Sequence, residues 1–163
     1  MSDVQAAQLM ERGRLTGLQV TEPAAKFGTI TPPMAFPVAP AFTTLATVTI
    51  FVDDTTDRVW LNGTVGWYAS FTAVGTVEAT FQILRGTTVV YQIRQAITSS
   101  TAIPAPPPAL VYNIANLEHI DDTPVTAPGN VTYTLQAQAS AAGAFTSGPV
   151  TLTAAEIEPN AVL

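Results

Sequence analysis

The chain has no cysteine, one histidine and little charge: Asp, Glu, Lys and Arg make up 11 % of its 163 residues. Without cysteine there is no disulfide and no thiolate metal site, and a Cys-free chain suits either redox compartment. With His119 as the only imidazole and no GxSxG turn, a nucleophile–base pair has almost no candidates. There is no phosphate loop and no dinucleotide fingerprint. An enzyme is therefore not expected, and neither is a cofactor. Six basic residues in a chain of net charge −6 form no stripe able to replace phosphate counterions, so nucleic acid is excluded as an expected partner. No apolar run reaches the length of a membrane helix, and the start (MSDVQAAQLMERGR) lacks the basic and apolar regions of a secretory signal. The expectation is synthesis in a cytoplasm without membrane insertion.

What is present is apolar and alternating. Apolar residues make up 47 % of the chain. The segments 43–52, 58–70, 76–84, 88–93, 130–140 and 149–157 place apolar and small polar residues in turn, the period of strands with one buried face. A less regular strand is expected over 110–120. Turn-forming residues separate them: Asp53–Asp57, Arg85-Gly86-Thr87 with glycine available for positive φ, Asp121–Gly129 and Ala141–Gly148. Gly63 and Gly66 inside a strand mark a bulge or a close backbone approach. Seven or eight antiparallel strands with one long proline-rich loop over 97–109 predict an all-β, two-sheet jelly-roll or Greek-key sandwich.

The first 41 residues differ. Residues 4–12 carry a short helix signal after Ser2, 15–30 are mildly extended, and Thr31–Pro40 holds four prolines, which favour polyproline II. The expected organisation is an N-terminal arm and proline spacer over 1–41 and a sandwich over 42–163. Sparse surface charge removes a barrier to close association. A strand from the arm, anchored by Leu15, Leu18 and Val20, is expected to pair with a neighbouring copy and to build a fibre or layer. On this reading, removing residues 1–40 leaves a folded monomer.

Among the aromatics, Trp67, Phe81 and Tyr133 are expected in the core, whereas Trp60 alternates to the outside and is a contact candidate. Glu118, His119, Asp121 and Asp122 read as a capped strand end rather than a metal site, because alternation sends Glu118 and His119 to opposite faces. Asp53, Asp54 and Asp57 read as a turn. If calcium binds anywhere, this loop and 118–122 are the places. No metal is expected. The acceptor patterns at Asn62 and Asn130 are chance in a threonine-rich chain without a signal.

A series of phrases carries a resemblance. These are Arg58-Val59-Trp60-Leu61, Thr64-Val65-Gly66-Trp67, Phe81-Gln82-Ile83-Leu84-Arg85, His119-Ile120-Asp121-Asp122 with Pro124, Val131-Thr132-Tyr133-Thr134-Leu135, Gly148-Pro149-Val150-Thr151-Leu152 and Ala155-Glu156-Ile157. In this order, over roughly residues 44 to 158, the chain resembles the exosporium-protein-C-type proteins of endospore-forming Firmicutes. The resemblance implies a jelly-roll structural protein deposited on the spore surface. Its expected partners are other copies of itself and other spore-surface proteins. The cysteine crosslinks used by related appendage subunits have no counterpart here. Two other classes fit the same residues: a carbohydrate- or protein-binding sandwich displaying Trp60 and the 97–109 loop, and a phage or virus decoration or fibre protein.

Overall fold

In a computed structural model, which describes residues 14–23, 33–100 and 108–158, the chain forms eight strands and, among those residues, no helix. They are β1 (Arg14–Thr21), β2 (Thr43–Val52), β3 (Arg58–Phe71), β4 (Gly75–Arg85), β5 (Thr88–Ser99), β6 (Ala109–Asp121), β7 (Gly129–Ala139) and β8 (Ala144–Glu158). The pairing follows one rule: β1 with β8, β2 with β7, β3 with β6 and β4 with β5, all antiparallel. Such a chain is a long hairpin folded at its middle and then rolled. Rolling brings β3 against β8 and β4 against β7. The result is two four-stranded sheets, β1-β8-β3-β6 and β2-β7-β4-β5, the eight-stranded double-sheet jelly roll.

The alternation read from the sequence positions the core. Val59, Leu61, Val65 and Trp67 of β3 face Phe81 and Ile83 of β4 and Tyr133 and Leu135 of β7, all fully buried. Trp67 and Phe81 meet edge to face at 5.8 Å, and the Trp67 Nε1–H donates to Gln95 Oε1 at 3.1 Å. Gly66 is the close approach its place in a strand implied. A Cβ there would collide with the Gly148 carbonyl, at the point where the β3–β8 register shifts. Gly86, at φ 58°, makes the β4–β5 turn. Gly63 has ordinary room for a Cβ, so packing alone does not demand glycine there.

The structure differs from the expected organisation before residue 42. Arg14–Thr21 is the edge strand of this chain's own first sheet, because its register closes the rolled hairpin against β8. Residues 33–40 are no free spacer. Phe36 N–H donates to Ala144 O of one sheet, and Ala39 N–H to Ala139 O of the other, each at 2.9 Å. Between these contacts Phe36 enters the core, 5.7 Å from the Phe81 ring and 6.2 Å from Trp67. The segment pairs only through isolated bridges, Ala35 with Phe145 and Val38 with Ala139, and so spans the open side of the sandwich. The helix signal at 4–12, the extended stretch beyond residue 23 and most of the 97–109 loop lie outside the described residues.

Candidate assembly surface

Strand parity decides what faces out. In β8, Val150, Leu152, Ala154 and Glu156 turn inward, leaving Thr151, Thr153, Ala155 and Ile157 on the outer side. Register then carries the assignment across the sheet. Leu18 lies beside Ala155, which lies beside Trp60, which lies beside Ile120. Val20 continues through Thr153 and Asn62 to Glu118, and Leu15 sits beside Ile157 and Arg58. The four contact candidates from the sequence, Leu15, Leu18, Val20 and Trp60, therefore share one face, the outer face of β1-β8-β3-β6. Leu15, Leu18 and Val20 are 57 %, 54 % and 51 % exposed. Trp60 is half-buried, and its Nε1–H donates to Glu118 Oε1 at 3.1 Å, which holds the indole against the sheet.

The far end of the same face carries a second group. Tyr68 of β3 stacks on Phe145 of β8 and tilts against Tyr112 of β6, with ring centroids 5.3 Å apart in each pair. Tyr112, Leu110 and Ile114 are exposed. Between the aliphatic and aromatic ends lie Thr64, Asn116, Thr151 and Asn62, with Thr64 Oγ1 donating to Asn116 Oδ1 at 3.3 Å. Charge on the face is sparse: Arg58 pairs with Asp122 at 3.2 Å at the rim, and Glu118 is turned to Trp60. Two exposed apolar groups on one water-facing sheet, separated by an uncharged Thr and Asn strip, make this face a candidate contact surface.

The β6 edge is partly occupied. At the β6 edge, Ile114 O accepts from Gln95 Nε2 at 3.2 Å and Ile114 N–H donates to Asn113 Oδ1 at 2.8 Å. These side chains occupy groups that a foreign strand would need. On one side β1 is already paired within the subunit, so the strand expected to be donated to a neighbour is donated to its own sheet. What β1 presents outward is its apolar side chains.

The acidic clusters separate. Glu118 serves Trp60, His119 stacks on Tyr91 at 5.2 Å, and Asp122 serves Arg58. Asp121 is buried between the sheets. It accepts Arg85 Nη1–H on both oxygens, at 2.7 and 2.8 Å, and Tyr133 O–H at 2.9 Å. Burial, followed by the Asp121 charge, pushes the Tyr133 phenol far above its ordinary value. Asp121 is thus an inter-sheet clamp, joining β6 to β4 and β7, and the group shares no ligand sphere. Asp54 accepts the Thr56 N–H and hydroxyl, both at 2.8 Å, and these bonds hold its carboxyl below the usual range. Asp57, by contrast, turns inward.

Sequence reasoning missed Leu110, Tyr112 and Ile114 as surface residues. Both parities of β6 are apolar, so alternation could not separate inside from outside there. It also missed Glu156, whose buried carboxylate lies on the inner side of β8 and accepts from Asp53 N–H and the Thr16 hydroxyl.

No protein-family model matches the chain, and no curated protein matches it. Distant likenesses occur among solved structures. VP2 of infectious bursal disease virus in a subviral particle is 14 % identical, with a TM-score of 0.48 over 91 % of this chain and 33 % of the VP2 chain. The T=1 particles derived from the same virus give 15 % identity and a TM-score of 0.47, over 89 % and 32 %. Dimeric latent PorU from Porphyromonas gingivalis gives 12 % and 0.42, over 91 % and 13 %. The chain spans about a third of the length of the VP2 chains.

Proposed function

We propose that this protein is a self-assembling structural subunit, which meets further copies of itself through the outer face of β1-β8-β3-β6. The reading is carried by two exposed apolar groups on one weakly charged face. Aliphatic side chains of β1, the Trp60 indole and the Tyr68–Tyr112–Phe145 aromatics lie on one surface with little charge between them. Burying such a surface against a like surface releases water without stranding ions. A second copy is the favoured occupant, because the strips between the apolar ends are Thr and Asn, which can serve as both donors and acceptors to their own kind. The edge groups of β6 at Ile114 are already occupied, which favours face contact over strand addition at that edge. The protein acts without catalysis: its one imidazole is stacked on Tyr91, and the buried Asp121 is committed to Arg85 and Tyr133.

The finer reading is a spore-surface layer or fibre, and it rests on the phrases between residues 58 and 157 that resemble exosporium-protein-C-type proteins. Negative-stain microscopy of the purified chain over a range of concentrations tests assembly, with regular particles, sheets or fibres expected. Single molecules at every concentration would end the reading. Immunogold labelling of intact spores tests the setting separately. Label confined to the outer layer supports it, and its absence leaves a structural subunit of another surface, a virion included.

A further inference from the structure

The carboxylates of Asp53, Asp57 and Glu156 converge where the β2–β3 turn meets β8, with one oxygen from each lying within 4.8 Å of the others. Asp57 and Glu156 are buried, at 1 % and 3 % exposure, whereas Asp53 is exposed and opens the group to solvent. Two donors orient Glu156. Asp53 N–H reaches Oε1 at 3.0 Å, and Thr16 Oγ1–H, from the bulge in β1, reaches Oε2 at 2.7 Å. Gly17 keeps the space beside this carboxylate clear, since a Cβ there would sit 3.2 Å from Glu156 Oε2.

Asp57 brings an unpaired oxygen to the same cluster. Its Oδ1 is buried and has no hydrogen-bond partner. A buried carboxylate oxygen without a donor costs free energy unless a cation or a proton meets it. Among the described residues the ion pairs are Arg58–Asp122 and Arg85–Asp121, and neither touches this cluster. Burial first, then the Asp53 carboxyl and the Glu156 charge, push the Asp57 carboxyl up to about 6.

We propose that Asp53, Asp57 and Glu156 form a binding site for a divalent cation of the calcium type, which fastens the β2–β3 turn to β8, with β1 joined through the Thr16 hydroxyl on Glu156. The donor set is all oxygen and anionic, which suits a hard cation and not a soft one. Ligands bound to one calcium at about 2.4 Å stand at most about 4.8 Å apart, whereas magnesium demands a tighter, near-ideal octahedron. Water supplies the remaining positions through the opening at Asp53. The site is independent of assembly: it lies on the inner side of the sheet and needs no second copy.

The test is calorimetric titration of calcium chloride into the full chain at pH 7.5 after exchange through EDTA, with magnesium chloride as a second arm. One calcium per chain is expected, with a dissociation constant of about 1 mM or tighter and weaker binding of magnesium. Glu156→Gln and Asp57→Asn should each weaken binding at least about tenfold. Asp54→Asn, on the same turn but outside the cluster, should leave it unchanged. Circular dichroism of each variant separates lost binding from lost folding. No saturable heat from the wild type up to about 10 mM calcium overturns the proposal, and the cluster is then a proton-sharing group. Equal binding by folded Asp57→Asn overturns it as well, placing the calcium elsewhere.

Discussion

In the cation-free protein Asp57 should make folding weaker as pH rises. Its carboxyl titrates at about 6 in the fold against an ordinary value of 3.8. The folded state therefore binds a proton that the unfolded state has released across that window. Stability from this group is fullest below about pH 4 and declines as pH rises through the folded value. The displacement belongs to the interacting Asp53, Asp57 and Glu156 carboxylates together and sets an upper bound of roughly 3 kcal/mol, taking about 1.4 kcal/mol for each tenfold change in proton affinity. Asp57→Asn removes the charge and with it the decline. At pH 7.5 in EDTA the variant should exceed the wild type by about 1–3 kcal/mol, the lower figure allowing for imperfect amide bonding. Near pH 4 the two should converge. Urea unfolding followed by tryptophan emission measures both, because Trp67 is fully buried and reports the core. The difference between the two proteins cancels carboxyls outside the cluster, including Asp54, whose lowered value contributes the opposite slope, and reports Asp57 together with the Asp53 and Glu156 carboxylates that face it. If the difference does not change with pH, or if Asp57→Asn is the less stable protein at pH 7.5 in EDTA, the argument from the crowded, buried carboxylates is refuted.

Arg85→Met leaves Asp121 buried without its cation and should cost about 3–5 kcal/mol in urea unfolding, with Tyr133→Phe costing about 1. A loss below about 1 kcal/mol for Arg85→Met would mean that the inter-sheet clamp contributes little. Phe36→Ala should cost about 3–5 kcal/mol by opening a cavity beside Trp67 and Phe81. For the same reason a chain starting at residue 41 should be strongly destabilised and not a stable monomer, since it loses Phe36 and all of β1. Unfolding midpoints matching the full chain would show that neither belongs to the fold.

Much of the sandwich was legible because its strands bury one face each. The period of two in 58–70 placed Val59, Leu61, Val65 and Trp67 inside and Trp60 outside, as the structure has them. The Gly86 turn and the Gly66 close approach were legible for steric reasons. β1 was not. Its outward residues are Leu15, Leu18 and Val20, and its inner side carries Gly17 and the threonine that reaches Glu156, so the pattern gives no buried apolar face to read. Phe36 hid among prolines that forbid a strand, although a single buried aromatic needs none. At the candidate surface, four residues separated by up to 45 positions proved to share a face only once the β1–β8–β3 register was known. The carboxylate cluster was half legible: Asp53 and Asp57 are close in sequence, but Glu156 enters from the other end of the chain.

The account turns on whether the outer face of β1-β8-β3-β6 holds copies together. Sedimentation velocity of the wild type and of Leu18→Glu and Tyr112→Glu, over a range of concentrations, tests this directly. Both substitutions are at exposed positions and should leave the chain folded at a cost of about 1–2 kcal/mol, from the Tyr68–Tyr112 pair and the cover over Ala155, which circular dichroism checks. The wild type should sediment as species heavier than the 17.1 kDa chain that grow with concentration, and each variant should fall back toward the single chain. A wild type that stays at the mass of one chain throughout, or variants that assemble as it does, would contradict the account.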